Sequence, residues 1–139
     1  MHSWEGDLTY RPQRMRFGAF IAPFHKLGDN PTLMLNAPVP AAKKVLAQAG
    51  LTVADIDLFE INEAFAVQVL ACARDLGLSM EQLNRRGGAI ALGHPIGCSG
   101  ARVLVTLLHL MEDKHCRRGI ASLCIGGGMG IALGLQLVS

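Results

Sequence analysis

The sequence predicts a layered α/β domain built on a mixed sheet. Three observations carry that prediction. Short apolar runs alternate with helical patterns along the chain, the order that builds strands and helices into layers. The stretch 63–76 holds Ala64, Phe65, Ala66, Val67, Val69, Leu70, Ala71, Cys72 and Ala73, so it is apolar almost all round. A helix of that kind is buried between layers and does not rest on a surface. The chain then ends in two apolar runs, 120–125 and 129–138, separated by Gly126, Gly127 and Gly128. Two buried strands joined by a glycine turn fit this pattern. A membrane helix through 119–138 does not, because each central glycine costs about 1 kcal/mol of helix propensity in water.

Each element can be placed in order. Residues 1–16 mix charge, proline and aromatics without period, and are expected to form an irregular arm ahead of a domain spanning 17–139. Residues 17–24 read as an edge strand, since Pro23 cannot donate to a ladder. Residues 26–31 form a turn-rich connection. Pro38 and Pro40 open a helix over 41–49 that Gly50 closes. A strand at 56–61 leads into Asn62 and the helix at 63–76, which Gly77 closes. Ser79 caps a short turn at 80–83, and 87–92 is a glycine-flanked apolar segment. Ser99 caps a helix from about 100 to 114, with Val103, Leu104, Leu107, Leu108 and Met111 on one face.

Composition excludes several classes. The 139 residues are 50% hydrophobic and 17% charged with a net charge of +2, which is unlike a disordered chain. The length allows roughly two-thirds of the unfolded surface to be buried, enough for one core. Basic residues never cluster beyond two in a row, and there are seven Phe, Trp and Tyr residues together. The basic stripe of a nucleic-acid binder is therefore missing. Four cysteines form no C-x-x-C pair and have no zinc-finger spacing to histidines, so no metal site is expected. With no secretory signal pattern at the start, a reduced cytoplasmic setting is expected, or an organelle matrix in a eukaryote. Glycine is unusual: 11 of 16 fall between Gly87 and Gly134.

Candidate chemistry gathers in three places. His94 lies in Gly93-His94-Pro95-Ile96-Gly97, just before a helix. Pro95 holds it extended, and the next helix points its free amides toward the loop. A neutral imidazole there could donate to a developing oxyanion, or could simply be a loop histidine. Cys124 ends a strand and precedes bare glycine backbone, as suits a nucleophile or an acid/base; a small buried apolar residue is the plain alternative. Asn62 and Glu63 stand at a strand-to-helix switch, where α/β proteins gather ligands. There Asn62 could equally be an N-cap, and Glu63 could complement its own helix dipole. Cys72 reads as core, a packing role is favoured for Cys98, and Cys116, in the polar turn 115–118, is given no role. His2, His25, His109 and His115 have no supporting constellation.

Three segments together resemble the C-terminal half of a thiolase: Asn62-Glu63-Ala64-Phe65, the run 87–102 (GGAIALGHPIGCSGAR), and Cys124-Ile125-Gly126-Gly127-Gly128-Met129-Gly130. Residues 55–60 belong to the same likeness, which runs from about Asn30 to the C-terminus. The resemblance implies a mixed sheet with helices on both faces. It implies acyl transfer between acyl-CoA and acetyl-CoA, by thiolysis of 3-oxoacyl-CoA or by condensation. CoA thioesters are then substrates, and no cofactor is implied. His94 would activate a nucleophilic cysteine and help form an oxyanion hole, with Asn62 holding a water that completes it. Cys124 would be the general acid/base. The Gly126 amide would serve a second oxyanion hole, and Ala64 and Phe65 would line the pantetheine channel.

The nucleophilic cysteine of that family lies in its N-terminal half, and no cysteine here carries its motif. The expectation is a part of an enzyme, inactive alone, that self-associates or meets a chain supplying the other half. Neither nucleic acid nor membrane is an expected partner. The competing expectation is a non-catalytic interaction or assembly module of the same fold.

Overall fold

A computed structural model describes residues 3–8, 15–24 and 36–138, with side chains described for 36–137. The elements are β1 (Ser3–Leu8), β2 (Met15–Phe24), α1 (Pro38–Ala49), a 3-10 turn (Val53–Asp55), β3 (Leu58–Ile61), α2 (Ala66–Leu76), α3 (Ala89–Leu92), α4 (Ser99–Lys114), β4 (Arg118–Gly126) and β5 (Met129–Val138). The strands form one mixed sheet in the order β1-β2-β5-β4-β3. Of these described strands, only β3 and β4 pair in parallel, with Ile61 opposite Ser122. The connection between them runs through α2, α3 and α4, the long crossover that parallel strands require.

Alternation along the strands divides the core in two. Phe59, Ile61, Ile120 and Ala132 face a cluster with Val45 and Leu46 of α1 and Val69 and Cys72 of α2. Their neighbours Leu58, Ala121 and Leu135 face Val103, Leu107 and Met111 of α4. Helices thus cover both faces, as the period-two side-chain pattern of a two-sided sheet demands. Pro38 and Pro40 lie in the first turn of α1, and Gly50 ends it at φ +67° with its amide bonded to the Ala47 and Leu46 carbonyls.

Several glycines serve this packing. A side chain at position 130 would collide with the Ala37 carbonyl, and one at 134 would lie 2.7 Å from Val45. Bare backbone on β5 therefore lets α1 sit close to the sheet. The Ser122 hydroxyl fastens the same junction, lying 3.1 Å from the Pro38 carbonyl.

Four expectations need correction. The arm expected to be irregular carries β1, whose order comes from antiparallel pairing with β2 rather than from any period of its own. The expected edge strand is an inner one, because β1 and β5 flank β2 on its two sides; Pro23 lies opposite Ile131 within it. The glycine-flanked apolar segment 87–92, in contrast, needs none; it ends in the single helical turn α3. The helix expected over 63–76 starts at Ala66, since residues 62–65 are extended or turned to build the site. This helix also buries one face only. Gln68, Val69, Cys72, Ala73 and Leu76 are inside, whereas Phe65, Val67 and Leu70 are 65%, 61% and 57% exposed. No described layer covers that outer face. The turn-rich connection at 26–31 lies outside the described residues, as do His2 and His25.

Candidate active site

β3 and β4 run parallel, and their carboxyl ends place two candidate residues side by side in the backbone. The Asn62 amide donates to the Ser122 carbonyl at 2.9 Å, and Cys124 lies two residues further along β4. In α/β sheets ligands bind beyond such strand ends.

Asn62 is fully buried. It is not an N-cap, because α2 begins after an extended Phe65. Its Oδ1 accepts from Arg102 of α4 at 3.0 Å. Its Nδ2 lies 3.3 Å from His94 Nε2. On the other side of the ring, Nδ1 lies 2.6 Å from the Ser99 hydroxyl, which donates to the Pro95 carbonyl at 3.1 Å. Arginine can only donate, so the Asn62 atom facing it must be the oxygen and the atom facing His94 must be the NH2. Nε2 then has to accept, and the ring hydrogen sits on Nδ1, pointing at Ser99. The chain Arg102 to Asn62 to His94 to Ser99 to Pro95 has one direction. It leaves His94 with its hydrogen on Nδ1 and its Nε2 lone pair turned to the Asn62 amide, at the strand end.

Beneath Arg102 lies Glu60, fully buried, with a carboxylate oxygen 3.6 Å from the guanidinium. Among the described residues, neither carboxylate oxygen has a hydrogen-bond partner, nor does Nη1 of Arg102. Burial pushes the Glu60 carboxyl up to about 7; the Arg102 charge opposes the rise and Glu63 adds to it. A charge removed from water is costly unless paired, and here the pairing is partial.

Glu63 does not serve the dipole of α2. Its carboxylate accepts from Asn84 Nδ2 and from the Ile90 amide, each at 3.0 Å. It thereby binds the amino end of α3, the turn that carries the chain to His94. Asn84 continues the free edge of β3, with its side-chain amide bonded to both the Ile61 amide and carbonyl at 2.8 and 2.9 Å. A side chain at position 88 would collide with the Glu63 carboxyl, so only glycine leaves that carboxylate where it lies.

Cys124 stands apart from this network. Its neighbour two residues back, Ser122, faces α1, and period-two alternation turns Cys124 to that same face. It also adds to the upward shift of Cys72 on α2. Asn62, in contrast, meets α4. The two candidates therefore flank the strand ends on opposite faces of the sheet. Burial pushes the half-buried Cys124 thiol up. Between Cys124 and Gly126 the β4–β5 register shifts, a bulge of the kind that re-aims backbone beside sites. Gly126 is exposed at φ +92°. Ala64 is half-buried and Phe65 exposed at the entrance to α2.

The other cysteines divide cleanly. Cys72 is fully buried on α2, its thiol pushed up to about 11 by burial. Cys98 is exposed, so the favoured packing role fails for it. Ser99 is the first helical residue of α4 and binds His94 instead of capping. His115 ends α4 in a left-handed conformation, and His109 of α4 pairs loosely with Glu112. Among the described residues, no group of three or more His, Cys, Asp or Glu side chains could hold a metal ion.

Sequence reading missed Glu60, Ser99 and Arg102 as site residues, and assigned Glu63 to the wrong helix. A signal existed for Glu60: it is a carboxylate inside an apolar strand, two residues before Asn62 and so on the same face. Nothing local marks its pairing with an arginine 42 positions on.

Comparison with known proteins gives a consistent result. A family model described as "Thiolase, C-terminal domain" matches residues 15–137. The chain is 59% identical over 108 residues to an acetyl-CoA acetyltransferase of Syntrophomonas wolfei, a match covering 76% of this chain and 27% of the relative. It is 53% identical over 118 residues to the cytosolic acetyl-CoA acetyltransferase of Rattus norvegicus, covering 85% and 30%. A 3-ketoacyl-CoA thiolase of Citrobacter koseri is 58% identical over 109 residues, covering 76% and 28%. The crystal structure of the Bacillus anthracis acetyl-CoA acetyltransferase superposes with a TM-score of 0.80 at 42% identity, over 91% of this chain and 31% of that one. The chain spans less than a third of the length of each of these relatives.

Proposed function

The chain belongs to the thiolase family, as a C-terminal domain, and we propose that it supplies the acid/base and oxyanion-hole portion of an acyltransferase acting on CoA thioesters. The observation that carries this reading is the directed chain through Asn62 and His94, which leaves Nε2 as an acceptor at the end of β3. Released from the Asn62 N–H, that lone pair can take the proton of a thiol, and in the charged ring the new N–H becomes a donor to an oxyanion.

The acylated cysteine comes from residues outside these 139, on a partner chain or a longer polypeptide. In thiolysis that cysteine passes its proton to His94 Nε2 and attacks the 3-keto carbon of the substrate. The C2–C3 bond breaks, its electron pair goes to the enolate of acetyl-CoA, and the Cys124 thiol gives its proton to C2. The Cys124 thiolate then takes the proton of CoA thiol, whose sulfur attacks the acyl carbon; the bond from that carbon to the nucleophilic cysteine breaks, and the departing thiolate regains its proton from His94. In condensation the steps reverse, and Cys124 as thiolate removes the α-proton. A thiol pushed up by burial is protonated at neutral pH, which suits the donating role. Asn62 Nδ2 and a water held on it complete the enolate's oxyanion hole, and the Gly126 amide serves the tetrahedral adduct. Ala64 and Phe65 line the pantetheine path. The reading requires no resident cofactor. The setting is cytoplasmic, or an organelle matrix in a eukaryote; no helix among the described residues is long and apolar enough to cross a membrane.

The exposed face of α2, with Phe65, Val67 and Leu70, supports a partner layer. It equally supports a second reading, a non-catalytic assembly module, since Cys72 is buried and Cys98 lies in the histidine loop. Thiolysis of acetoacetyl-CoA separates the two. The chain alone is expected to be inactive, and the chain with a co-expressed N-terminal thiolase half active. Activity should disappear with Cys124→Ala. Inactivity in both formats supports the assembly module. Turnover by the isolated chain overturns the requirement for an external cysteine.

A further inference from the structure

We propose that Arg102, seated on Glu60, is the positioning residue that fixes the tautomer of His94 through the Asn62 amide. This deepens the reading above, because it says what makes Nε2 the working nitrogen of that site.

Three geometric facts carry it. Arg102 reaches Asn62 Oδ1 at 3.0 Å from α4, and it has no acceptor capacity, so it admits only one orientation of the amide. The oriented amide presents Nδ2 to His94 at 3.3 Å, which admits only a lone pair on Nε2. Glu60, buried on the same face of β3 two residues before Asn62, is the ion-pair partner that holds Arg102 from below at 3.6 Å. The Ser99 hydroxyl alone does not decide the matter, since a hydroxyl can accept from Nδ1–H or donate to a bare Nδ1. Without Arg102 the Asn62 amide can rotate by 180° and present its oxygen to His94, which favours the hydrogen on Nε2. That state removes the base from the strand end.

The experiment reads the tautomer directly, on the full 139-residue chain without substrate. Long-range proton–nitrogen spectra of the 15N-labelled chain give the state of each imidazole, with the His94 signals identified by their loss in His94→Gln. The wild type is expected in the Nδ1–H form. In Arg102→Met the ratio of Nδ1–H to Nε2–H is expected to fall roughly tenfold, the change that about 1.4 kcal/mol of hydrogen bonding produces. Arg102→Lys, which also only donates, is expected to restore the wild-type ratio; a purely structural arginine would not give that pattern. An unchanged ratio in a folded Arg102→Met chain overturns the proposal. Should that variant lose its dispersed spectrum, the wild type and Arg102→Lys decide, and an Nε2–H majority in either overturns it. Because the assay needs no turnover, a chain that fails the thiolysis test can still uphold this inference, and a catalytically active pair with an unmoved tautomer sinks this inference alone.

Discussion

The two strand ends that frame the site are built on different principles. At the end of β3, Asn62 is fully buried and held by partners from α4 and the histidine loop. Glu63, the next residue, ties in α3 and the Asn84 turn. At the end of β4, Cys124 is half-buried on a bulged hairpin whose tip, Ile125 to Gly127, is exposed. One half is preorganised by this chain alone. The other offers a thiol and a glycine turn whose surroundings are open. Preorganised dipoles suit charge stabilisation, which works best when nothing must move. The acid/base role proposed for Cys124 fits an approach that other residues complete.

The largest break in that contrast is expected from Cys124→Ala. In the reconstituted thiolysis assay kcat should fall by about 10² to 10⁴-fold, the range of a positioned acid or base. The melting temperature of the isolated chain should barely change, because no described side chain depends on the thiol. A rate within a few-fold of wild type would remove Cys124 from the chemistry.

A second test uses pH on the β3 side. Glu60 titrates near 4.5 when unfolded and about 7 when folded, so the folded chain holds this proton more tightly. Its contribution is complete below pH 4.5 and is lost as pH rises through 7. The loss is on the order of 3 kcal/mol if the full shift is expressed. Denaturant melts from pH 4.5 to 8 should show the decline, and Glu60→Gln should flatten that part of the profile. An identical slope in the variant would show that Glu60 is not the group responsible.

Gly88→Ala tests the Glu63 clamp. The new methyl meets a carboxylate that accepts two hydrogen bonds, so displacing it should cost about 1–3 kcal/mol in chemical denaturation. Glu63→Gln, which keeps one oxygen for the Ile90 amide, should cost less. Equal stability of Gly88→Ala and wild type would mean the carboxylate moves aside freely.

The smallest expected effect on stability is that of Leu70→Ser on the outer face of α2, within about 0.5 kcal/mol for an exposed site. Its effect on association should be larger. Light scattering is expected to find the wild-type chain self-associated and the variant less so. A monodisperse wild-type monomer would contradict the partner layer.

The local sequence specified much of this protein. The prolines that open α1, the glycine that closes it and the hairpin glycines act within a few residues, through φ restriction and missing side chains. Periodicity marked the helices and the buried strands. Short motifs marked His94, Asn62 and Cys124, because proline, glycine and strand ends constrain their neighbours directly. Tertiary structure alone decided the rest. Glu60, Arg102 and Ser99 became partners only when β3 and α4 packed, and hydrogen-bond direction then passed from a guanidinium to an imidazole. Ordering of β1 depended on pairing with β2, and the exposed half of α2 on which layers this chain contains. Such features arise between segments far apart in sequence, where contact is set by packing and no local pattern records it.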